Sequence, residues 1–207
     1  MIRPAAPKVA LATLRLVLRK MNRDDVVRIS ALNDLLQQKD VDVPALDKSA
    51  LAELCASFEA EWRQHGIGHL AIVRREDDRI IGHIHLKWLS DCKTARTAEL
   101  SYAIDAPYQR LGYATEAVDA VLGFAFDQAG LDYVIACIEP DNQASVRVAE
   151  KNGMAPVAEG RYRYRLMRHY LLPAMMWRFH QKQRRAAAQA AGAPVQDNAA
   201  TGAPAGA

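Results

Sequence analysis

The sequence predicts one α/β (α+β) domain, because short apolar runs typical of strands alternate with helical patterns along most of its 207 residues. Half of the residues are hydrophobic and a quarter are charged, which is the balance of a soluble globular domain. The strongest single pattern is an apolar stripe at helical spacing, formed by Ala114, Ala117, Val118, Val121, Leu122, Ala125 and Phe126. These observations predict one core, with appendages at the termini.

The first elements are a strand and a helix. Alternating apolar residues predict a strand over 14–19, and Asn22 follows as a helix cap. Asp24 and Asp25 lie in the first turn of that helix, where the helix dipole favours negative charge.

A second helix and a hairpin follow. The helix begins after Asp47 and ends at Gly66 and Gly68, and its apolar face consists of Leu51, Leu54, Cys55, Phe58 and Trp62. Two apolar runs within 70–89 flank the acidic turn 76–78, which predicts a hairpin. From residue 80 the alternation assigns Ile80, Ile84, Leu86 and Trp88 to one face, and His83, His85 and Lys87 to the other.

The second half alternates strands with helices. Strands are predicted over 98–104 and 132–138, with the amphipathic helix between them and a helix over 142–152 after them. Arginines at 161, 163 and 165 alternate with Tyr162, Tyr164 and Leu166, and the apolar run 170–177 is expected to complete the sheet. Residues 186–207 contain 11 alanines and one charge, so we expect a mobile tail after Arg185.

Composition excludes several classes of protein. The net charge of +3 is too small to indicate a nucleic-acid or membrane partner by itself. Three widely spaced cysteines argue against a disulfide framework or a zinc cluster and favour a cytoplasmic location. Charges interrupt the apolar patch at 9–14, and we expect neither a signal peptide nor a membrane anchor.

The segment 109–115 lies between a predicted strand and the amphipathic helix. A turn that contains Gly112 and opens a helix presents unpaired N–H groups and the positive end of the helix dipole, which suits a phosphate. A single glycine and the lack of Gly-Lys-Ser/Thr exclude a dinucleotide fingerprint and a nucleotide-hydrolase loop. An ordinary helix start is the alternative interpretation.

Three motifs in order make residues 99–153 resemble the GNAT superfamily of N-acetyltransferases, in particular its RimJ/RimL-like branch. The segments are Glu-Leu-Ser-Tyr-Ala-Ile-Asp at 99–105, Tyr-Gln-Arg-Leu-Gly-Tyr-Ala-Thr-Glu at 108–116, and Asn-Gln-Ala-Ser-Val-Arg-Val-Ala-Glu-Lys-Asn-Gly-Met at 142–154. A looser similarity spans 14–179. Ser101 and Met154 depart from the family pattern, which commonly has Gly and Phe there.

The resemblance implies a mixed, mostly antiparallel central sheet with helices on both faces and a splay between two parallel neighbouring strands. It implies acetyl-CoA as co-substrate and no metal. The pantetheine arm would pair with the backbone of Tyr102, Ala103 and Ile104. The pyrophosphate would be held by Gln109, Arg110, Leu111, Gly112, Tyr113, Ala114 and Thr115, with Asn142 and Lys151 also binding the cofactor. Arg147 and Lys151 share a helix face that could reach cofactor phosphates or could simply be solvated.

The implied reaction is direct attack of a neutral primary amine on the thioester within one ternary complex. The resemblance indicates Glu99 as the base and Ser145 as the group near the cofactor sulfur. Glu99 could instead pair with Arg96 or Arg110, and Ser145 could simply satisfy backbone at a helix start. Many family members use a tyrosine in place of the serine.

Several alternatives stay open at this stage. His83 and His85 are expected to be exposed or to border the acceptor site, and without a third ligand at suitable spacing we discount a metal. Residues 161–185 hold eight Lys or Arg and no acidic residue, which suits a basic sheet edge or an RNA-contacting or acidic-substrate surface. An inactive module that binds acyl-CoA, RNA or protein is the rival to an enzyme.

The predicted organisation is an N-terminal extension (1–12), an N-acetyltransferase domain (13–181) and a disordered Ala/Gly/Pro-rich tail (182–207). The acceptor is a protein N-terminus or a small amine, nucleic acid is an unlikely substrate, no membrane partner is expected, and the state is monomer or homodimer.

Overall fold

The computed structural model describes residues 10–30, 48–89, 94–162 and 165–190. Their strands form one eight-stranded sheet in the order β1-β2-β3-β4-β5-β6-β8-β7. The strands are β1 (Ala10–Ala12), β2 (Leu16–Lys20), β3 (His69–Arg74), β4 (Arg79–Trp88), β5 (Thr97–Ile104), β6 (Tyr133–Ile138), β7 (Ala155–Tyr162) and β8 (Arg165–Pro173). Neighbours are antiparallel except β5 and β6, which are parallel, so the predicted mixed sheet is confirmed.

The described α-helices lie on both sides of this sheet. They are α1 (Arg23–Ser30), α2 (Lys48–His65), α3 (Tyr113–Gly123), α4 (Gln143–Lys151) and α5 (Ala174–Ala190). The backbone N–H of Asp25 donates to Asn22 Oδ1 at 2.9 Å, which confirms the predicted cap of α1. Six of the seven residues of the stripe that predicted α3 are buried and Ala114 is partly buried, and the stripe continues into a π-helical turn over Phe124–Gln128.

The two sheet faces have different characters. One face packs against α3 through a continuous apolar cluster that includes Leu18, Ile72, Ile84 and Leu100. The opposite face, here called the histidine face, contains His69, His83 and His85. His69 lies opposite His85 in the register, and the same face continues into β5 at Ser101, which is the next partner of His85.

A bulge corrects the predicted faces of β4. Ile72 pairs with Gly82 but Val73 pairs with Ile80, so one extra residue of β4 lies between them. Ile80 therefore packs with Ala71 and Val73 in a separate small cluster, and the prediction that it shares a face with Ile84 is wrong. Strict alternation could not reveal the inserted residue.

The parallel strands separate soon after they meet. β5 and β6 pair at Thr97–Tyr133, Ala98–Val134 and Glu99–Ile135 and at no later position among the described residues. Beyond them β5 continues to Ile104 against β4, whereas β6 continues to Ile138 against β8. The edge of β5 that faces β6 is thus open after Glu99, and the predicted splay is confirmed.

The carboxyl end differs from its prediction. The run 170–177 was expected to be one strand, but β8 ends at Pro173 and α5 begins at Ala174, where Trp177 packs against Phe126. Proline ends a sheet ladder, and the Ala-rich sequence that follows favours helix. Residues 186–190, expected to begin the tail, continue this helix, and residues 191–207 lie outside the described residues.

Element bounds do not follow the predicted divisions of the chain. β1 lies within the stretch 1–12, and α5 crosses position 181. β7 begins at Ala155, earlier than the arginine alternation indicated. Of the helices described, none has the length and hydropathy to cross a membrane.

We expect Gly82→Ala to destabilise the fold by about 3 kcal/mol, because overpacking against rigid neighbours is costly. A Cβ at this position would lie 2.2 Å from the backbone oxygen of Ala103 in β5. Urea unfolding gives the free energy of unfolding directly.

Gly123→Ala is the matched control. Its added Cβ would meet only Trp177 at 3.7 Å, at a helical backbone position, so we expect a gain of about 0.5–1 kcal/mol. Equal effects of the two substitutions would contradict the close β4–β5 approach at Gly82.

Candidate active site

The connection between β5 and α3 forms a tight turn. Residues Ala106–Tyr108 form one 3-10 turn, and the Gln109 Nε2 donates to the Ile104 oxygen at 2.8 Å. Arg110 and Gly112 both have left-handed backbone conformations, with φ of 62° and 83°. Gly112 is the N-cap of α3 and supplies no side-chain acceptor, so the first N–H groups of the helix are left for an external acceptor.

A partly buried carboxylate anchors this turn to the amino-terminal hairpin. Glu116, in the first turn of α3, accepts hydrogen bonds from Thr13 Oγ1 at 2.6 Å, the Arg15 backbone N–H at 2.8 Å and Arg15 Nε at 2.7 Å. Burial raises the pKa of Glu116, but these hydrogen bonds outweigh burial and hold it below its ordinary value. Glu116 is therefore an anionic anchor at ordinary pH.

Arg15 adds positive charge beside the turn. Its Nη1 donates to the Leu111 oxygen at 2.9 Å, and its guanidinium lies 4.5 Å from the centroid of the Tyr113 ring. Sequence analysis missed Arg15 and the role of Glu116, because nothing in their spacing indicates that residues about 100 positions apart meet.

The open edge of β5 carries Tyr102, Ala103 and Ile104, all partly buried. Across the gap, β6 is paired with β8. An extended chain with amide groups that enters the gap would therefore hydrogen-bond with the backbone of β5. The Ile104 oxygen is already engaged by Gln109.

Glu99 lies where the gap begins. It is partly buried and pairs with Ile135, and the thiol of Cys137 lies on the same face, close enough for Glu99 to affect its pKa. Burial, followed by the charge of Glu99, raises the pKa of Cys137 to about 11, so the thiol stays protonated. Among the described residues, Glu99 forms no ion pair with Arg96 or Arg110; the Arg96 guanidinium instead donates to the Ala129 oxygen.

Two hydroxyl groups lie near each other at the start of α4. Asn142 Oδ1 caps this helix by accepting from the Ser145 N–H at 3.1 Å, so its amide serves a local role. The Tyr102 hydroxyl is buried and has no well-formed hydrogen bond among the described residues. Burial raises the pKa of Tyr102, and the nearby Ser145 hydroxyl lowers it by a smaller amount. Sequence analysis used only the backbone of Tyr102 and missed its hydroxyl.

Lys151 lies at the other end of α4. Asn152 Nδ2 approaches the Thr115 oxygen at 3.5 Å, which brings this helix end beside the first turn of α3. The Lys151 side chain is exposed.

The histidine face is covered by α2. His85 Nε2 lies 2.8 Å from Glu61 Oε1 and 3.0 Å from Oε2, and the His69 ring is stacked between Phe58 and His85. His83 is buried. The expectation that His83 and His85 are exposed is therefore wrong, because the fold brings a helix 24 residues earlier in the chain across this face.

A possible metal-binding cluster consists of Glu61, His69 and His85, whose potential ligand atoms lie within 4.8 Å of one another. The spacing of the residues in the sequence did not reveal this cluster. The His69 and His85 rings are stacked, however, with centroids 3.5 Å apart and planes 12° apart. Imidazole nitrogens bind a metal in the plane of the ring, so two stacked rings do not direct both lone pairs at one ion.

Two of these histidines are held neutral. Burial, reinforced by His85, lowers the pKa of His69 to about 2 and that of His83 to about 4. Both imidazoles therefore stay uncharged in the folded protein at neutral pH.

We expect the protein to lose stability as the pH falls below about 6.5, because the unfolded chain then binds protons that the folded chain excludes. The loss at pH 5 is about 2 kcal/mol for each neutral histidine. Urea unfolding at pH 7 and pH 5 measures it, and His83→Gln should remove about half of the loss due to His69 and His83. An unchanged loss in that variant would contradict the burial of His83 as a neutral group.

This chain is similar in sequence to a known protein family and to several bacterial proteins. A family model described as an acetyltransferase (GNAT) domain matches residues 15–155. The uncharacterized N-acetyltransferase YnaD of Bacillus subtilis is 36% identical over 84 residues, which is 40% of this chain and 47% of that protein. The uncharacterized N-acetyltransferase YoaA of the same species is 27% identical over 146 residues, 69% of this chain and 81% of that protein. The chain spans about half the length of YnaD.

Solved structures share the fold at low sequence identity. The ribosomal-protein-S5-alanine acetyltransferase of Vibrio fischeri has a TM-score of 0.68 and 16% identity, covering 82% of this chain and 98% of that one. The nucleotide-linked sugar GNAT FdhC has a TM-score of 0.69 and 17% identity, covering 86% and 97%.

Proposed function

We propose that this chain, which belongs to the family of acetyltransferase (GNAT) domains, transfers the acetyl group of acetyl-CoA to a primary amine by direct attack within one ternary complex. The observation that carries the proposal is the gap between β5 and β6, which opens beside the turn at Gly112. An open strand edge next to uncapped helix N–H groups suits a cofactor that joins an amide-containing arm to a diphosphate.

The residues present fit that cofactor. We assign the pyrophosphate to the backbone of 109–115, with positive charge from Arg15 and Arg110, and the pantetheine arm to the backbone of 102–104. We also assign Lys151 to a cofactor phosphate, because its neighbour Asn152 approaches the first turn of α3. Asn142 contributes by fixing the start of α4. When bound, acetyl-CoA supplies the activated acetyl group.

The chain then has two proton-transfer tasks. The Glu99 carboxylate, where the gap begins, is assigned to accept the proton that leaves the amine nitrogen, and the Ser145 hydroxyl to donate one to the departing thiolate. The buried Tyr102 hydroxyl, beside Ser145, is a second donor for the sulfur. The proximity of these two hydroxyls supports both assignments.

We further assign the chain to the RimJ/RimL-like branch, with a protein α-amino group or a small amine as acceptor and a cytoplasmic location. The family resemblance over 99–153 supports the branch, and the sparse cysteines support the compartment.

The alternative function, an RNA- or protein-binding module, depends on the positive charge of the basic segment 161–185. Arg165, Arg168 and Arg184 form ion pairs with Glu139, Glu159 and Asp119, so part of its positive charge is locally neutralised. The oligomeric state proposed is monomer or homodimer.

We expect acetyl-CoA at about 100 times its Kd to stabilise the wild-type protein by roughly 2.7 kcal/mol, and Gly112→Ala to lose most of this gain. Alanine at φ 83° is strained, and its Cβ would stand 3.4 Å from Arg15 Nη2 in the proposed phosphate site. Thermal unfolding with and without acetyl-CoA measures the gain.

Gly66→Ala is the control for backbone strain alone. Gly66 has φ of 70° and no atom near its added Cβ, so this variant should be destabilised yet keep the full gain from acetyl-CoA. Equal gains in both variants would show that the Gly112 turn does not hold the cofactor.

We expect Glu99→Gln to lower kcat by about 100-fold and Ser145→Ala by about 10-fold, while acetyl-CoA still stabilises both variants. Thiol release from acetyl-CoA across a panel of amines gives the rates. A Glu99→Gln enzyme as fast as the wild type would remove Glu99 from the mechanism, and a slow Tyr102→Phe with an unaffected Ser145→Ala would reassign the acid to Tyr102.

A further inference from the structure

The histidine face holds a hydrogen-bonded acid–imidazole pair that the assignments above do not use. We propose that His85, held by Glu61, takes the proton directly from the acceptor amine, and that the Glu99 carboxylate, where the gap begins, receives this proton from His85. This inference rests on the proposed acetyl transfer and names the group that activates its nucleophile.

The register places His85 one strand away from the gap. It lies directly opposite Ser101 of β5, and Glu99 follows one step along the same face, opposite Lys87. Side chains directly opposite on adjacent strands have Cβ atoms about 5 Å apart. The far edge of β5 at Ser101 is already open, and Ser101 is exposed. An amine over Ser101 would therefore be within reach of His85 and of an acetyl group in the gap.

The hydrogen bond to Glu61 fixes which nitrogen can act. The Nε2–H of His85 donates to the Glu61 carboxylate at 2.8 Å, which leaves the lone pair of Nδ1 as the proton acceptor. The tautomer is set by this partner, because a carboxylate accepts but does not donate. The side chains of His85 and Glu61 are 14% and 19% exposed, so the pair is sheltered yet reachable.

The proton and electron balance closes without another reactant. The amine nitrogen forms the C–N bond with the acetyl carbon, its N–H bond breaks, and the proton bonds to Nδ1 of His85. The C–S bond breaks, and the thiolate takes a proton from Ser145 or Tyr102. The resulting imidazolium is stabilised by the Glu61 carboxylate and passes its proton through Glu99 to water. The oxygen left deprotonated on Ser145 or Tyr102 takes one proton back from water, which restores the enzyme.

His69 and His83 are unsuited to this role. Both are buried, each lacks a carboxylate partner among the described residues, and burial keeps the pKa of each far below neutral. His85 alone of the three has an anion to stabilise its charged form. The ordinary pKa of an imidazole is about two units higher than that of a carboxyl group and lies nearer to neutral pH. A general base works best when its pKa lies near the working pH.

The groups that face His85 come from three elements. They are Glu61 on α2, His69 on β3 and His83 on β4 itself, with Lys87 and Glu99 one register step away.

Helix α1, which also packs against β4, offers no competing charge from its described side chains. There Asp25 is paired with Arg19, while Arg23 and Asp24 are exposed. The pH dependence of kcat/KM is therefore compared between variants of His85 and of its partner Glu61.

The test compares kcat/KM against pH for the wild type, His85→Gln, His85→Ala and Glu61→Gln, with His65→Gln as control. His65 is a partly buried histidine of α2 stacked on Trp88, outside the proposed machinery. We expect His85→Gln to lose about 100-fold in kcat/KM and the acidic limb, while His65→Gln stays within about 2-fold. Imidazole added to His85→Ala should restore part of the rate, which a structural role would not allow.

Glu61→Gln should shift the acidic limb to lower pH, because it removes the anion that stabilises the imidazolium. Acetyl-CoA should stabilise every variant against heat as it does the wild type.

Three results would overturn the inference. One is a His85→Gln enzyme within about 3-fold of the wild type with its acidic limb in place. Another is activity lost with EDTA and restored by Zn²⁺, which would make the cluster a metal site. The third is that the wild type releases thiol from acetyl-CoA equally fast without an added amine, which would also refute the proposed function. The first two results would leave acetyl transfer in place and change only the residue identified as the base.

Discussion

The fold depends on how briefly β5 and β6 are paired. Three residue pairs join them, ending at Glu99–Ile135, and each strand then stays with its outer neighbour. Beyond this point β5 continues along β4 while β6 continues along β8, so the two strands diverge. The backbone groups on the inner edge of β5 are left without strand partners among the described residues. Such groups are costly to bury unsatisfied, so the gap is stable when it is solvated or occupied by a chain carrying its own amides. The site is therefore a consequence of sheet topology rather than of any one side chain.

The second constraint is the network around Glu116, which fixes the turn next to the gap. A carboxylate that accepts from Thr13 and twice from Arg15 ties the amino-terminal hairpin to the first turn of α3. Charge-assisted hydrogen bonds of this kind are stronger than neutral ones and directional. They hold Gly112 in its left-handed conformation beside a guanidinium, so that backbone amides and positive charge point to the same place. The acetyl donor would then meet a turn that is already in its binding geometry.

The sequence predicted what local pattern encodes. The buried stripe of α3, the Asn22 cap, the Gly112 turn and, through the family motifs, the splay all follow from residues near one another in the chain. It failed where distant segments decide: the bulge at Ile80, the burial of His83 and His85 under α2, and the contact of Arg15 with Glu116. The prediction also failed at the start of α5, because the apolar run 170–177 has no periodicity that distinguishes a strand from a helix. Only the structure shows that the strand ends at Pro173 and that a helix follows. The family motifs indicated Glu99 and Ser145, but the groups beside them, Cys137 and Tyr102, became visible only in three dimensions.

These features converge on one claim, that a cofactor arm completes the open edge of β5 while its diphosphate is held at the start of α3. Hydrogen–deuterium exchange of backbone amides with and without acetyl-CoA tests it most directly. We expect acetyl-CoA to slow exchange in two separate segments, 101–104 and 110–115, with little change in β1 to β3. Protection confined to other parts of the chain, or none at saturating acetyl-CoA, would contradict it.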